Sequence, residues 1–166
     1  KGITDIGDFV FRNSLTEAQV IPQTVKAAKT KLNLKKVALL YSDNDAFTKA
    51  GYDVFKAASE AEGLQITTTQ TFATKDTDFS SQLTKITNSG AQVLFTPQYY
   101  NEVALIVQQA HQLGWKKPIV GSDSWGSAET VKLCGKDCYG AYFSTHYAAA
   151  GATGSTKAFI DRYKAK

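Results

Sequence analysis

Aromatic and acidic side chains follow three separate apolar runs of this sequence, each at a point where a strand would end. The runs cover residues 37–41, 93–95 and 118–120. Aromatic rings can wall a small organic ligand, and a carboxylate can pair with an ammonium group. We therefore predict half of a cleft for a small molecule. The predicted ligand-binding residues are Phe47, Tyr99, Asp123, Tyr100 and Trp125.

Structural interpretations of the same residues stay open from the local sequence alone. Asp123 can cap the helix that follows it, and Phe47 can be a staple residue at a helix start. Trp125 can pack at a hinge. Tyr99 and Tyr100 are neighbours that point in different directions, so we expect only one of them to reach the cleft.

A parallel sheet is the arrangement that would bring these side chains together. Helical patterns separate the apolar runs, which predicts parallel strands whose carboxyl ends share one edge. In open α/β sheets, ligands bind at that edge. The predicted fold class is therefore α/β, a doubly wound parallel sheet in three α/β/α layers. Strands are predicted at residues 9–12, 35–41, 65–71, 91–95, 118–120 and 139–147, and helices at 16–32, 47–62, 79–90, 101–113, 127–133 and 154–166.

Composition argues against several classes of function. The length of 166 residues suits one domain, and no apolar run approaches the ~20 residues of a membrane helix. The net charge is +4, but the lysines are scattered and the arginines are only Arg12 and Arg162, which argues against nucleic acid. The sequence has no glycine-rich phosphate loop and no nucleophile elbow, so we predict neither a cofactor nor an enzyme. It also lacks Met, and we expect it to begin inside a longer gene product.

Cys134 and Cys138 stand four residues apart around a Gly-Lys-Asp turn. A metal site would need more Cys or His nearby, and a redox pair would need two intervening residues. A small structural disulfide fits this spacing better and would imply an oxidising compartment. Two unlinked thiols remain the alternative.

Several short segments along the chain match a known family pattern. The most specific is residues 76–86, DTDFSSQLTKI. The others are residues 9–14 (FVFRNS), 37–43 (VALLYSD), 99–102 (YYNE), 121–123 (GSD) and 140–143 (GAYF). With these segments, nearly the whole chain resembles the second lobe of type I periplasmic binding proteins. The resemblance is to the Leu/Ile/Val-binding type, which serves ABC transporters for branched-chain amino acids.

The resemblance implies that residues 1–166 are one α/β lobe of a two-lobe solute-binding protein, whose first lobe lies outside this sequence. It implies a non-enzymatic protein that captures an amino acid or a related small molecule for an ABC permease in the membrane. It also implies a periplasmic or extracellular location. The protein would be either free there or anchored to lipid through a segment that precedes this sequence. No cofactor, metal or nucleic acid belongs to that function.

The resemblance assigns roles to three of the candidate residues. Phe47 and Tyr99 would pack the ligand side chain, and Asp123 would take the ligand α-ammonium. The family commonly has glutamate and tyrosine where this chain has Asp123 and Phe47. The identity of the ligand therefore stays open.

Two other functions remain as alternatives. The same lobe architecture serves as the ligand-sensing domain of receptors and transcription regulators, although a cytoplasmic regulator would not suit a disulfide. An α/β enzyme would need Asp123 to act with Ser122 or His146, and no nucleophile turn supports it. We predict a structural role for His111 and leave a role at a domain junction open for His146.

Overall fold

One parallel sheet organises the structure, a computed structural model that describes residues 3–165. Its strands are β1 (Lys36–Ser42), β2 (Gln65–Phe72), β3 (Val93–Thr96), β4 (Ile119–Gly121) and β5 (Tyr142–Phe143). The strand order is β2-β1-β3-β4-β5, and every neighbouring pair is parallel. The order confirms the predicted doubly wound sheet, because the chain builds outward in opposite directions from β1 and from β3.

Helices connect the strands at close to the predicted positions. They are α1 (Glu17–Leu32), α2 (Ala46–Ala61), α3 (Ser80–Asn88), α4 (Tyr100–Gln112), α5 (Ala128–Cys134) and α6 (Gly154–Lys164). The backbone N–H of Thr16 donates to Gln19 Oε1 at 2.8 Å at the start of α1. The Asp45 side chain accepts from the Thr48 backbone N–H at 2.9 Å and caps α2. Across residues 3–165, no helix combines the length and the apolar character that crossing a membrane requires.

Successive residues of β1 face opposite sides of the sheet. Leu40 belongs to the buried cluster that contains Leu83 of α3 and Ile106 of α4. Leu39 belongs to the cluster on the other face, which contains Ile21 of α1 and residues of α2. Because helices cover both faces, β1 is a continuous apolar run instead of an alternating one. This double cover holds the carboxyl ends of the central strands in fixed positions.

Of the two strand predictions near the chain ends, the one at residues 9–12 is wrong and the one at 139–147 is too long. Residues 9–12 form no strand, and Phe9 and Phe11 are 91% and 86% exposed. The predicted strand 139–147 is limited to Tyr142–Phe143, which pairs with the last two residues of β4. Since β4 has only three residues, the strand beside it cannot extend further.

A disulfide joins Cys134, the last residue of α5, to Cys138 at the end of a short 3-10 helix (Gly135–Cys138). This is the arrangement that the cysteine spacing favours. Cys134 is buried, and Cys138 packs against the same apolar cluster as α4. The bridge therefore holds the segment between α5 and β5 against the core.

Replacing both cysteines by alanine should lower the free energy of unfolding by about 1–2 kcal/mol, because the bridge closes only a short loop. Urea unfolding of the Cys134→Ala/Cys138→Ala variant, compared with the oxidised protein, measures this change. The reduced wild-type protein is the matched control and should lose a similar amount. An unchanged midpoint in both samples would show that the bridge does not stabilise the fold.

Candidate functional site

Phe47 and Tyr99 meet at the point where the strand order reverses. Phe47 is the second residue of α2, after β1, and Tyr99 is the N-cap of α4, after β3. Their rings stack with centroids 5.2 Å apart and an interplanar angle of 27°. Strands β1 and β3 are neighbours, and the crevice between their carboxyl ends is where α/β sheets bind ligands. The structure thus places two of the predicted residues side by side at that crevice.

Asp123 lies on the same edge, directly after β4 and at the start of a 3-10 helix (Asp123–Trp125). Its Oδ2 atom is 3.2 Å from Nε2 of His146, which follows β5. Its Oδ1 atom is buried and has no hydrogen-bond partner among residues 3–165. A buried carboxylate oxygen without a donor is costly unless something binds it. Asp123 therefore presents one atom that is suited to receive a cationic ligand group.

Glu17 also lies at this edge of the sheet, although the sequence did not predict it as a site residue. It stands at the first residue of α1, where an acidic residue is expected simply to favour the helix dipole. Burial and the nearby charge of Asp123 raise the pKa of Glu17 to about 7, although the Ser122 hydroxyl acts in the opposite direction. The Oε1 atom is buried without a hydrogen-bond partner in the described part of the chain. The charge of one carboxyl group therefore acts on the other at this edge.

The raised pKa of Glu17 makes a prediction about stability. In the unfolded chain the carboxyl group ionises near its ordinary value of 4.5, whereas in the folded chain it ionises near 7. Folding stability is therefore lost as the pH rises from about 4.5 to about 7. Because Glu17 is partly exposed, Glu17→Gln should gain only about 1–2 kcal/mol relative to wild type near pH 8, and almost nothing near pH 4. Urea unfolding across this range measures the difference, with the exposed Glu129→Gln as control. If the free energies of unfolding of Glu17→Gln and wild type differ by the same amount at every pH, the raised pKa of Glu17 is contradicted.

The hydroxyl of Tyr99 lies among acidic groups of this edge. Burial raises its pKa, and the charge of Asp45, a hydrogen bond to Asp45 and the charges of Glu102 and Glu17 act in the same direction. Tyr99 thus stays neutral and can donate to Asp45. Glu102 is 4% exposed, and its Oε2 atom has no partner among the described residues. The surroundings of the Phe47–Tyr99 pair therefore favour a ligand with a positive charge.

The other two predicted residues lie apart from the stacked pair. Tyr100 begins α4 and is 41% exposed, so Tyr99 is the neighbour that enters the crevice. Trp125 is 2% exposed and belongs to the core cluster of α3 and α4. Its packing role is therefore clear, and its role as a ligand wall stays a prediction.

A cavity of about 680 Å³ lies next to Asp123, between α5 and the segment after β5. Phe47 and Tyr99 are not among its lining residues, so it adjoins the crevice without containing it. Its walls are largely apolar and include Trp125, Val131, Tyr139, Phe143, His146 and Tyr147. Among the described residues, no group of three or more His, Cys, Asp or Glu side chains is arranged to hold a metal ion.

The family model that describes periplasmic binding proteins matches residues 5–166. The chain belongs to this family. It is 30% identical over 132 residues to the Leu/Ile/Val-binding protein BraC3 of Rhizobium johnstonii, covering 80% of this chain and 35% of that protein. It is also 30% identical over 110 residues to Leu/Ile/Val-binding protein homolog 3 of Brucella melitensis, covering 66% of this chain and 30% of that protein.

Two solved structures of the periplasmic binding protein family share the fold of this chain. One is the branched-chain amino acid transporter substrate-binding protein LivJ of Streptococcus pneumoniae in complex with isoleucine. It has a TM-score of 0.86 and 30% identity, with 99% of this chain and 47% of that chain covered. The leucine-binding protein LivK of Thermotoga maritima has a TM-score of 0.86 and 27% identity, with 94% and 45% covered. The chain therefore spans under half the length of these solved relatives and about a third of the curated ones.

Proposed function

We propose that this periplasmic binding protein chain is the ligand-binding lobe of a larger solute-binding protein that captures an amino acid. The observation that carries the proposal is the buried, unpartnered Oδ1 atom of Asp123, on the same sheet edge as the stacked Phe47 and Tyr99 rings. An α-ammonium group supplies the hydrogen-bond donors that this oxygen lacks. The aromatic pair supplies an apolar surface for the ligand side chain. The likeness to an isoleucine-bound structure supports an aliphatic amino acid as the first candidate.

The lobe would share its ligand with a first lobe outside this sequence. Asp123 and the aromatic pair account for the ammonium and side chain of an amino acid, while its carboxylate needs hydrogen-bond donors from elsewhere. The low coverage of the relatives supports a partner lobe of comparable size. Closure of two lobes about a hinge would enclose the ligand, so the single lobe should bind more weakly than the pair.

The proposed protein works outside the cytoplasm and passes its ligand to an ABC permease. The names of the relatives, which include a transporter substrate-binding protein, support that partner. The Cys134–Cys138 disulfide suits a periplasmic or extracellular location, because the cytosol keeps thiols reduced. Either a soluble or a lipid-anchored form is compatible with this role. The function needs no cofactor and no chemical step.

Thermal unfolding of the full-length parent protein, with both lobes, in the presence of each of the twenty amino acids tests the proposal. A ligand at 100 times its Kd should stabilise the folded state by about 2.7 kcal/mol, which gives a clear rise in Tm. We expect the aliphatic amino acids to raise Tm, and isoleucine to do so more than 3-methylpentanoate, the same molecule without its ammonium. Stabilisation by carboxylic acids that lack an ammonium group, such as 3-methylpentanoate, but by no amino acid would contradict the assignment of Asp123.

A further inference from the structure

We infer that Glu17 is a second carboxylate of the ammonium site and that an amine ligand binds with release of a proton from Glu17. The inference rests on the proposed function and extends it to a residue on α1. The balance is simple: a protonated Glu17 loses its proton to solvent, and the ligand ammonium keeps its own. The bound state then contains an ammonium between two ionised carboxylates.

The position of Glu17 depends on a glycine in α2. A Cβ atom at Gly51 would lie 3.0 Å from Glu17 Oε1, 3.2 Å from Glu17 Oε2 and 2.6 Å from the Cβ of Pro97. Any larger residue at Gly51 would therefore displace the carboxyl group from the sheet edge. Pro97 follows β3, so α1, α2 and the end of β3 converge at one point. The Glu17 carboxyl group therefore lies between α2 and the residue that follows β3, at the carboxyl edge of the sheet.

Two buried carboxyl oxygens at this point lack donors. They are Glu17 Oε1 and Asp123 Oδ1, and neither has a hydrogen-bond partner within residues 3–165. An ammonium group offers three donors, enough to serve both oxygens and one further acceptor. A backbone amide or a hydroxyl could serve only one of them. A positive charge between two carboxyl groups that repel each other also favours an ammonium over a neutral donor of the same size.

Asp123 is the charge that acts on Glu17, and it has the same sign, whereas the Ser122 hydroxyl favours the ionised form. Glu17, Asp45 and Glu102 all act on the hydroxyl of Tyr99 and raise its pKa. The sole ion-pair partner that the described residues give Asp123 is His146. Burial and Asp123 together hold the pKa of Glu17 near 7, so the group is about half protonated at neutral pH. A ligand ammonium would reverse the sign of this local field and favour the ionised form.

Calorimetric titration of the full-length parent protein with isoleucine, in two buffers of different ionisation heat, measures the proton release directly. We expect roughly half a proton or more to leave per isoleucine bound near pH 6, and a Kd about tenfold lower near pH 8 than near pH 5.5. Glu17→Gln should abolish most of the release and flatten the pH dependence of Kd. His146→Asn is the matched control, because it removes the other titratable partner of Asp123, and it should leave most of the release in place.

Several outcomes would overturn the inference. Equal proton release from wild type and Glu17→Gln would leave the proposed function standing but remove Glu17 from it. Release that survives in Glu17→Gln and vanishes in His146→Asn would assign the proton to the histidine. Failure of every amino acid to bind would remove the proposed function and this inference together. If Glu17→Gln does not fold, a carboxyl NMR titration of Glu17 in the wild type decides, since isoleucine must lower its pKa.

Discussion

Replacing Asp123 by alanine in the full-length parent protein should weaken isoleucine binding by about 2–5 kcal/mol, because the ligand ammonium would then be buried without its main partner. The buried Oδ1 atom of Asp123 is the acceptor that the variant loses. Near pH 8 Glu17, with a pKa of about 7, is already largely ionised and would remain as a second partner of the ammonium, which favours the lower end of this range. Calorimetric titration near pH 8 measures the change, and a loss below about 0.5 kcal/mol would contradict the role of Asp123.

The chain offers matched controls for this experiment. Asp161 is an exposed aspartate of α6 that pairs with Lys157, and Asp161→Ala should leave isoleucine binding unchanged. Asp123→Asn keeps the shape and removes the charge, so a loss close to that of alanine would show that charge dominates. Binding of 3-methylpentanoate, which has no ammonium, should not weaken in Asp123→Ala. A similar loss for both ligands would indicate a disturbed fold instead of a missing partner.

Replacing Gly121 by alanine should lower the free energy of unfolding by about 3 kcal/mol, because the new methyl group overlaps a buried ring. A Cβ atom there would lie 2.1 Å from Cε2 of Trp125 and 2.4 Å from its Cδ2. Trp125 is 2% exposed and belongs to the core cluster of α3 and α4, so its ring must leave its packed position to make room for the methyl group. Asp123 lies between these two residues, so isoleucine binding should weaken as well. Urea unfolding and calorimetric titration measure the two effects.

A second substitution separates the clash from a general effect of alanine in β4. Trp125→Leu in the Gly121→Ala background removes the ring that the methyl group meets, so the cost of Gly121→Ala should fall by more than half in a double-mutant cycle. Gly7→Ala is the neutral control, since no atom lies within 4 Å of a Cβ placed there. Full additivity of the Gly121 and Trp125 changes would show that the ring is not the obstacle.

The order of strands and helices could be predicted from the sequence because burial imposes local periodicity. The apolar run of β1 and the spacing of Leu83 and Ile86 in α3 report on which faces are covered. Alternation of strands with helices then requires a parallel sheet, which places Phe47, Tyr99 and Asp123 on one edge. The same reasoning failed at residues 9–12, where the apolar side chains have no strand beside them. Periodicity shows that a face suits burial, but it does not show that a partner exists.

The local sequence alone thus determined the fold class and placed Phe47, Tyr99 and Asp123 on one edge of the sheet, where we propose the ligand binds. The tertiary structure decided which of these side chains touch and which are packed elsewhere. Tyr99 stacks on Phe47 while Tyr100 stays exposed, and Trp125 is packed over Gly121. Only the tertiary structure brought Glu17 to Asp123, because they are distant in sequence and no local pattern links them. Backbone propensities act over a few residues, whereas the pKa of a carboxyl group depends on every charge and every apolar group that folding places around it.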